Sequence, residues 1–184
     1  SDLEFIDMGG GFGIPYKKEE GEAPLDLKDL GSAMDKALWQ FAEEYGKQVI
    51  FRIEPGRYIS AECSVILSEV HSVKYNHDQK FVGCDCGFNV LQRPIMYDSY
   101  HGIEVYRGSD VKSEETEPVT VVGNICESGD ILAKGRVLPE IFKGDILGIL
   151  DAGAYGFTMA SNYNNRLRPA EVMLRENGEV VLIR

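Results

Sequence analysis

Leu27, Leu30, Met34, Leu38, Phe41 and Tyr45 recur at helical spacing between two short apolar runs, Leu3–Met8 and Gln48–Ile53. This order of strand, helix and strand constrains the fold more than any other feature of the chain. Two strands joined through a helix lie side by side and parallel, because an antiparallel pair closes through a tight turn instead. Asp26 offers an acceptor at the helix start, and Gly46 offers a residue that turns left-handed at its end. Leu3–Met8 is expected to be a buried strand, since apolar strands of parallel sheets have neighbours on both sides. It begins almost at once, after Ser1-Asp2 and with no initiator methionine, so the natural protein is expected to extend upstream.

After Arg57 the texture changes. Ile59–Lys74 fits helix or strand, with Val65, Leu67, Val70 and Val73 allowing a strand at its end. From Phe81 onward short apolar runs alternate with turn residues, and Val119–Val122 and Asp145–Leu150 are strand-like. Glu171–Glu176 and Glu179–Arg184, joined by Asn177-Gly178, predict a hairpin with a type I′ turn. The 184 residues are therefore expected to divide into an α/β part, residues 1–65, and a β domain, residues 66–184. No internal repeat or low-complexity segment interrupts them.

A net charge of −11 argues against nucleic acid or an anionic membrane surface as a partner. No run is long enough to span a bilayer and no signal-peptide pattern opens the chain, so the expected location is cytoplasmic. Four cysteines, Cys63, Cys84, Cys86 and Cys126, match neither a zinc-ribbon spacing nor a secreted disulfide framework. Cys84-Asp85-Cys86 would put two thiols on one face of a strand, but two ligands do not make a site, and no metal is expected. His71, His77 and His101 are widely scattered.

The chemistry concentrates elsewhere. Cys126-Glu127-Ser128-Gly129-Asp130 and Asp151-Ala152-Gly153-Ala154-Tyr155-Gly156 place a thiol, carboxylates and a phenol among short strands and glycine turns. Such groups are costly in a strand-rich core unless a ligand or a reaction uses them. Gly9-Gly10-Gly11 ends a parallel strand, where bare backbone amides can approach a phosphate; a tight turn explains it equally well. It is neither G-x-G-x-x-G, since Ile14 takes the last position, nor a Walker loop. Glu54-Pro55-Gly56-Arg57 ends the next strand, where barrel-type sheets carry their chemistry; a turn with a surface ion pair is the plainer reading. Arg93 and Tyr97 put a guanidinium and a phenol four residues apart, suited to a carboxylate or to capping a turn.

Taken in order, these segments resemble the diaminopimelate decarboxylases, pyridoxal phosphate enzymes of the alanine racemase-like, fold type III group. The resemblance runs through Ile6–Tyr16, Glu54–Arg57, Arg93–His101, Cys126–Asp130, Asp151–Phe157, Met159–Asn164 and Arg168-Pro169, over essentially the whole chain. It implies the last strands of a pyridoxal phosphate-binding TIM-type (β/α)8 barrel followed by a C-terminal β-sandwich or barrel-like domain. It implies decarboxylation of meso-2,6-diaminopimelate to L-lysine in lysine biosynthesis.

By the same resemblance, Gly9, Gly10, Gly11, Pro55, Gly56 and Arg57 hold the cofactor, its phosphate above all. Glu54 faces the pyridine nitrogen, and Tyr155 touches both cofactor and substrate. Cys126 is the proton donor, a role that suits a thiol because its pKa is movable towards neutrality. Arg57, Arg93 and Tyr97 take the substrate's distal carboxylate, and Glu127 its distal ammonium. A homodimer with shared sites is implied, with Cys126 and Glu127 reaching into the partner's site; pairing with an N-terminal half is the other partner expectation. Related decarboxylases of ornithine, arginine, carboxynorspermidine or another amino acid such as a carrier-bound glutamate, and a non-catalytic homologue, are the alternatives. The family's lysine that carries the cofactor has no counterpart here: Lys36-Ala37-Leu38 lies inside the predicted helix. The isolated chain is therefore expected to be inactive.

Overall fold

The computed structural model describes residues 2–108 and 115–184. The opening unit is β1 (Phe5–Asp7), α1 (Leu27–Tyr45) and β2 (Ile50–Arg52). As the connection requires, β1 and β2 pair in parallel, Phe5 opposite Ile50 and Asp7 opposite Arg52. The Asp26 carboxylate accepts from the Lys28 and Asp29 amides, at 2.8 and 3.1 Å. Gly46 closes α1 in the left-handed region at φ 72°. Both helix ends are thus satisfied by the residues expected to do so.

One expectation about this unit fails. The first strand is shorter than Leu3–Met8 and is not buried: Phe5 and Asp7 are exposed, and so are Ile50 and Arg52. No residue of α1 is buried either. A two-stranded ribbon covered by one helix gives its apolar side chains too little to pack against. A closed α/β barrel is not part of this chain; β1 and β2 form a separate two-stranded sheet.

The ambiguous stretch resolves into a helical turn, α2 (Gly56–Ser60), a 3-10 turn over Ala61–Cys63, and then β3 (Ile66–Asn76). There follow β4 (Gln79–Cys84), a short helix α3 (Arg93–Tyr97), β5 (Ile103–Tyr106), β6 (Thr116–Val122), β7 (Ile131–Pro139) and β8 (Ile146–Ile149). These six strands form one sheet in the order β5-β8-β3-β4-β6-β7. The architecture is barrel-like rather than a sandwich of two sheets: the edge strands β5 and β7 touch, so the sheet nearly closes. β3 makes this possible. Its first half pairs with β8 and its second half with β4, with a register shift between Val70 and Ser72 that bends the strand.

The core lies inside this curved sheet. Val70, Val82, Leu91, Val119, Leu147 and Ile149 pack there with essentially no exposure. Each such side chain contributes roughly 1.5–3 kcal/mol by leaving water. The sheet also buries two ion pairs. Lys80 is buried against Glu117 and donates to the Ile141 carbonyl at 3.0 Å. Arg107 grips Asp145 through two hydrogen bonds of 2.9 and 2.7 Å, which holds that carboxyl below its ordinary pKa.

The chain ends in a hairpin, β9 (Val172–Leu174) and β10 (Val180–Leu182), paired antiparallel as expected. Its turn is not type I′. Only Gly178 has positive φ, at 82°, whereas I′ needs Asn177 there as well. The Gly178 amide donates to the Arg175 carbonyl and the Arg175 amide to the Glu179 carbonyl, which makes a longer turn ending in a left-handed glycine. Asn177 instead spends its side-chain oxygen on the Glu179 amide, at 3.0 Å. Among the described residues no helix is long and apolar enough to cross a membrane.

Candidate active site

The parallel register of β1 and β2 brings the first two motifs together. The ladder runs on past the strands: the Met8 amide donates to the Arg52 carbonyl at 3.0 Å, and the Glu54 amide to the Gly9 carbonyl at 2.8 Å. Gly9-Gly10-Gly11 and Glu54-Pro55-Gly56-Arg57 therefore leave neighbouring strand ends. Gly10 must be glycine, because a Cβ there would stand 2.6 Å from the Glu54 carbonyl oxygen. Gly9 and Gly11 occupy the left-handed region at φ 70° and 88°. Among the described residues the Gly10 and Gly11 amides find no acceptor. Two unspent amides beside a strand end, with Gly56 and Arg57 opening α2 next to them, are the donor set that a phosphate group takes. Glu54 is exposed at this edge.

The Asp151–Gly156 turn is stapled onto the segment that carries Arg57. The Ala152 amide donates to the Ser64 carbonyl at 3.0 Å and the Gly153 amide to the Ala61 carbonyl at 2.9 Å. The approach is so close that a Cβ on Gly153 would lie 1.9 Å from the Ser60 carbonyl oxygen. Ala154 joins Ala61 and Ile14 in a small buried cluster flanked by Tyr16 and Tyr58. Buried Asp151 is paired with Lys18 at 3.0 Å. On this rigid turn Tyr155 is held at φ 62°, a strained value for a tyrosine, with its ring half exposed.

Arg93, at the start of α3, is buried at 6% exposure. Its Nη1 donates to the Tyr16 hydroxyl at 2.8 Å and lies 3.3 Å from His101 Nε2. The guanidinium sits 5.0 Å from the Tyr16 ring centre and 5.9 Å from that of Tyr155. Tyr97, at the other end of α3, is exposed.

Cys126 and Glu127 are exposed on the loop between β6 and β7 rather than held in the strand-rich core. Asp130 fixes this loop from beneath. Its carboxylate accepts from the Phe88 and Ile125 amides, both at 2.7 Å. Burial pushes that carboxyl's pKa up, and the two amide bonds pull it partly back. A Cβ on Gly123 would stand 2.4 Å from it, so glycine is required above the carboxylate. Ile95 of α3 abuts Gly129, which sets the Cys126 loop beside the Arg93 helix.

The structure thus joins Gly9–Gly11 with Glu54–Arg57, and Arg93 with Tyr155. Among the described residues no hydrogen bond, ion pair or ring contact links Cys126 or Tyr97 to either group, and Glu127 bonds only within its own loop. Sequence reasoning assigned no role to Tyr16 and His101, although both lay inside segments it singled out. Nothing in their spacing shows that the fold places them around Arg93. A cavity of about 1190 Å³ lies elsewhere, in the gap between β5 and β7 under Lys17–Glu20. It reaches Ile95 and Gly129 but none of Gly9–Gly11, Glu54 or Tyr155, so it is the seam of the sheet and not this site. Among the described residues no three His, Cys, Asp or Glu side chains gather as metal ligands would.

A nearly closed β-sheet fused to a parallel strand pair that ends in a glycine turn defines an α/β-plus-β protein. More particularly, the family described as pyridoxal-dependent decarboxylase, C-terminal sheet domain, matches residues 18–153, and the chain belongs to it. The chain is 47% identical over its whole length to a diaminopimelate decarboxylase of Methanothermobacter thermautotrophicus, covering 42% of that relative. A crystal structure of diaminopimelate decarboxylase superposes with TM-score 0.89 at 40% identity, over all of this chain and 45% of that one. The Helicobacter pylori diaminopimelate decarboxylase complexed with L-lysine superposes with TM-score 0.83 at 36% identity, over all of this chain and 42% of that one. The chain spans less than half the length of these relatives.

Proposed function

We propose that this chain is the C-terminal portion of a pyridoxal phosphate-dependent enzyme that decarboxylates meso-2,6-diaminopimelate to L-lysine. One observation carries the substrate reading. Arg93 is a buried cation with no carboxylate partner among the described residues, and it lies against the ring of Tyr155. A buried charge left unpaired is expensive, and a carboxylate on the substrate would relieve it. Diaminopimelate has such a group at its distal end, whereas ornithine and lysine lack it. The same cost then discriminates between them.

The residues fit the cofactor. Gly9, Gly10 and Gly11, with Pro55, Gly56 and Arg57, would take its phosphate, and Glu54 its ring nitrogen. When bound, pyridoxal phosphate supplies an electron sink for the bond that loses CO₂. The chain's own side chains do the rest. Tyr155 borders cofactor and substrate. Arg57, Arg93 and Tyr97 orient the distal carboxylate, and Glu127 takes the distal ammonium. Cys126 Sγ delivers the proton that replaces CO₂ on the reacting carbon. Because Cys126 and Glu127 stand exposed and apart from Glu54, we read them as offered to a second subunit's site in a cytoplasmic homodimer. We put the division between barrel part and sheet domain between residues 65 and 66, just ahead of β3.

The full-length enzyme should release CO₂ and lysine from diaminopimelate far faster than CO₂ from ornithine or arginine. Equal turnover of ornithine would defeat the reading. Cys126→Ala should lower kcat by at least about 100-fold, the usual contribution of a positioned acid, while cofactor absorbance is unchanged.

A further inference from the structure

Arg93 is held in an unusual way for a buried cation. Every polar partner it has among the described residues is neutral: the Tyr16 hydroxyl at 2.8 Å and the imidazole of His101 at 3.3 Å. The one carboxylate among the described residues whose charge acts on His101, Asp151, is already paired with Lys18. His101 is itself buried at 2% exposure, and its Nδ1 lies 2.8 Å from the Leu150 carbonyl. A carbonyl only accepts, so Nδ1 carries the proton. Nε2 is then the bare nitrogen, and it faces Arg93 as an acceptor. The Tyr16 ring closes over the imidazole edge to face, at 5.6 Å.

We propose that His101 is a positioning residue for substrate: a neutral acceptor, locked in one tautomer by Leu150, that aims Arg93 without cancelling its charge. A carboxylate in the same place would form an internal ion pair and compete with the substrate's own carboxylate. An apolar residue would leave the guanidinium free to turn. The imidazole orients the fork and leaves the full positive charge for the ligand. The inference rests on the substrate reading above and deepens it.

The surroundings keep His101 neutral. Burial is the main cause of its lowered pKa; the Leu150 bond opposes it, and the Arg93 charge adds to it. The other charged groups that face it act in both directions: Arg136 of β7, whose Nη1 donates to the His101 carbonyl at 3.1 Å, lowers the pKa, and Asp151 raises it. Acid protonates Nε2 and turns an acceptor into a second cation against Arg93. The KM for diaminopimelate should therefore rise as pH falls below the ordinary histidine value of about 6.5.

The test uses the full-length holoenzyme. His101→Phe keeps bulk and removes the acceptor, and KM for diaminopimelate should rise about tenfold, as for a lost hydrogen bond to a charged group, with kcat changed much less. His101→Gln keeps an acceptor near Nε2 and cannot be protonated. It should restore KM at neutral pH and abolish the acid-side rise. An unchanged KM in His101→Phe, or an unaltered acid-side rise in His101→Gln, overturns the proposal. Nitrogen-15 shifts of the His101 ring in the same protein read the tautomer directly, whatever the substrate. A ring charged at neutral pH, or a proton on Nε2, overturns it too. The expected tautomer in an enzyme that rejects diaminopimelate would count against the substrate reading alone.

Discussion

The six-stranded sheet and the β1–α1–β2 unit are built by opposite means. The sheet buries its apolar side chains and even a lysine, an arginine and three aspartates. The opening unit has correct caps, correct helical spacing and the correct parallel register, yet none of its strand or helix residues is buried. The difference shows that local signals and burial are separable. Caps and spacing set the local conformation; burial needs neighbours, and only the sheet has them within this chain. The site proposed above would draw on both. From the opening unit it takes backbone, Gly9–Gly11 and the Glu54 turn. From the sheet domain it takes side chains held by a dense matrix, Arg93 and Tyr155.

The largest effect should come from the sheet core. Leu147 is fully buried on β8, between β3 and β5. Leu147→Ala should destabilise the chain by about 2–5 kcal/mol in urea unfolding, the range for a leucine cavity that cannot collapse. A loss below about 1 kcal/mol would mean that the sheet is far more plastic than the curved, bulged arrangement implies.

The seam between the regions should rank second. Gly153→Ala drives a methyl group into the Ser60 carbonyl, and backbone on both sides leaves little room to yield. It should cost about 1–3 kcal/mol, with added proteolytic sensitivity around α2. Unchanged stability would show that the Asp151–Gly156 turn is not what fixes Tyr155.

Much of this was legible in the sequence. Helix α1 was readable to its caps, because Asp26 and Gly46 act on their own neighbours in the chain. The glycine turn and Glu54–Arg57 could be joined in advance, since the parallel connection forces adjacent strand ends together. The C-terminal hairpin was readable in position but not in turn type. Asn177-Gly178 favours the tight form, and the Asn177 bond to the Glu179 amide selected the longer one. Burial of the first strand was misjudged, because apolar composition reports what a strand would bury and not what is there to cover it. The environment of Arg93 was invisible: Tyr16 lies 77 positions away in sequence, and Leu150, which locks His101, lies 49 positions from that histidine. Such contacts are set by how the strands cross, and no local pattern encodes them.

The smallest effect should come from the opening unit, and it tests the comparison most sharply. Ile50 is β-branched, apolar and paired with Phe5 in the β1–β2 ladder, which in most parallel sheets would mark it as core. Here it is 60% exposed. Ile50→Ala in this chain should change stability by less than about 0.5 kcal/mol, as at an ordinary surface position. In the full-length enzyme the same substitution should cost about 2–5 kcal/mol, because further barrel strands would then cover it. If both measurements are small, β2 is a surface strand in the whole protein and the barrel reading of residues 1–65 fails. If both are large, the opening unit is already packed against something in this chain, and the contrast with the sheet is not one of burial. Only the split outcome says that the strand is written for neighbours lying outside this sequence.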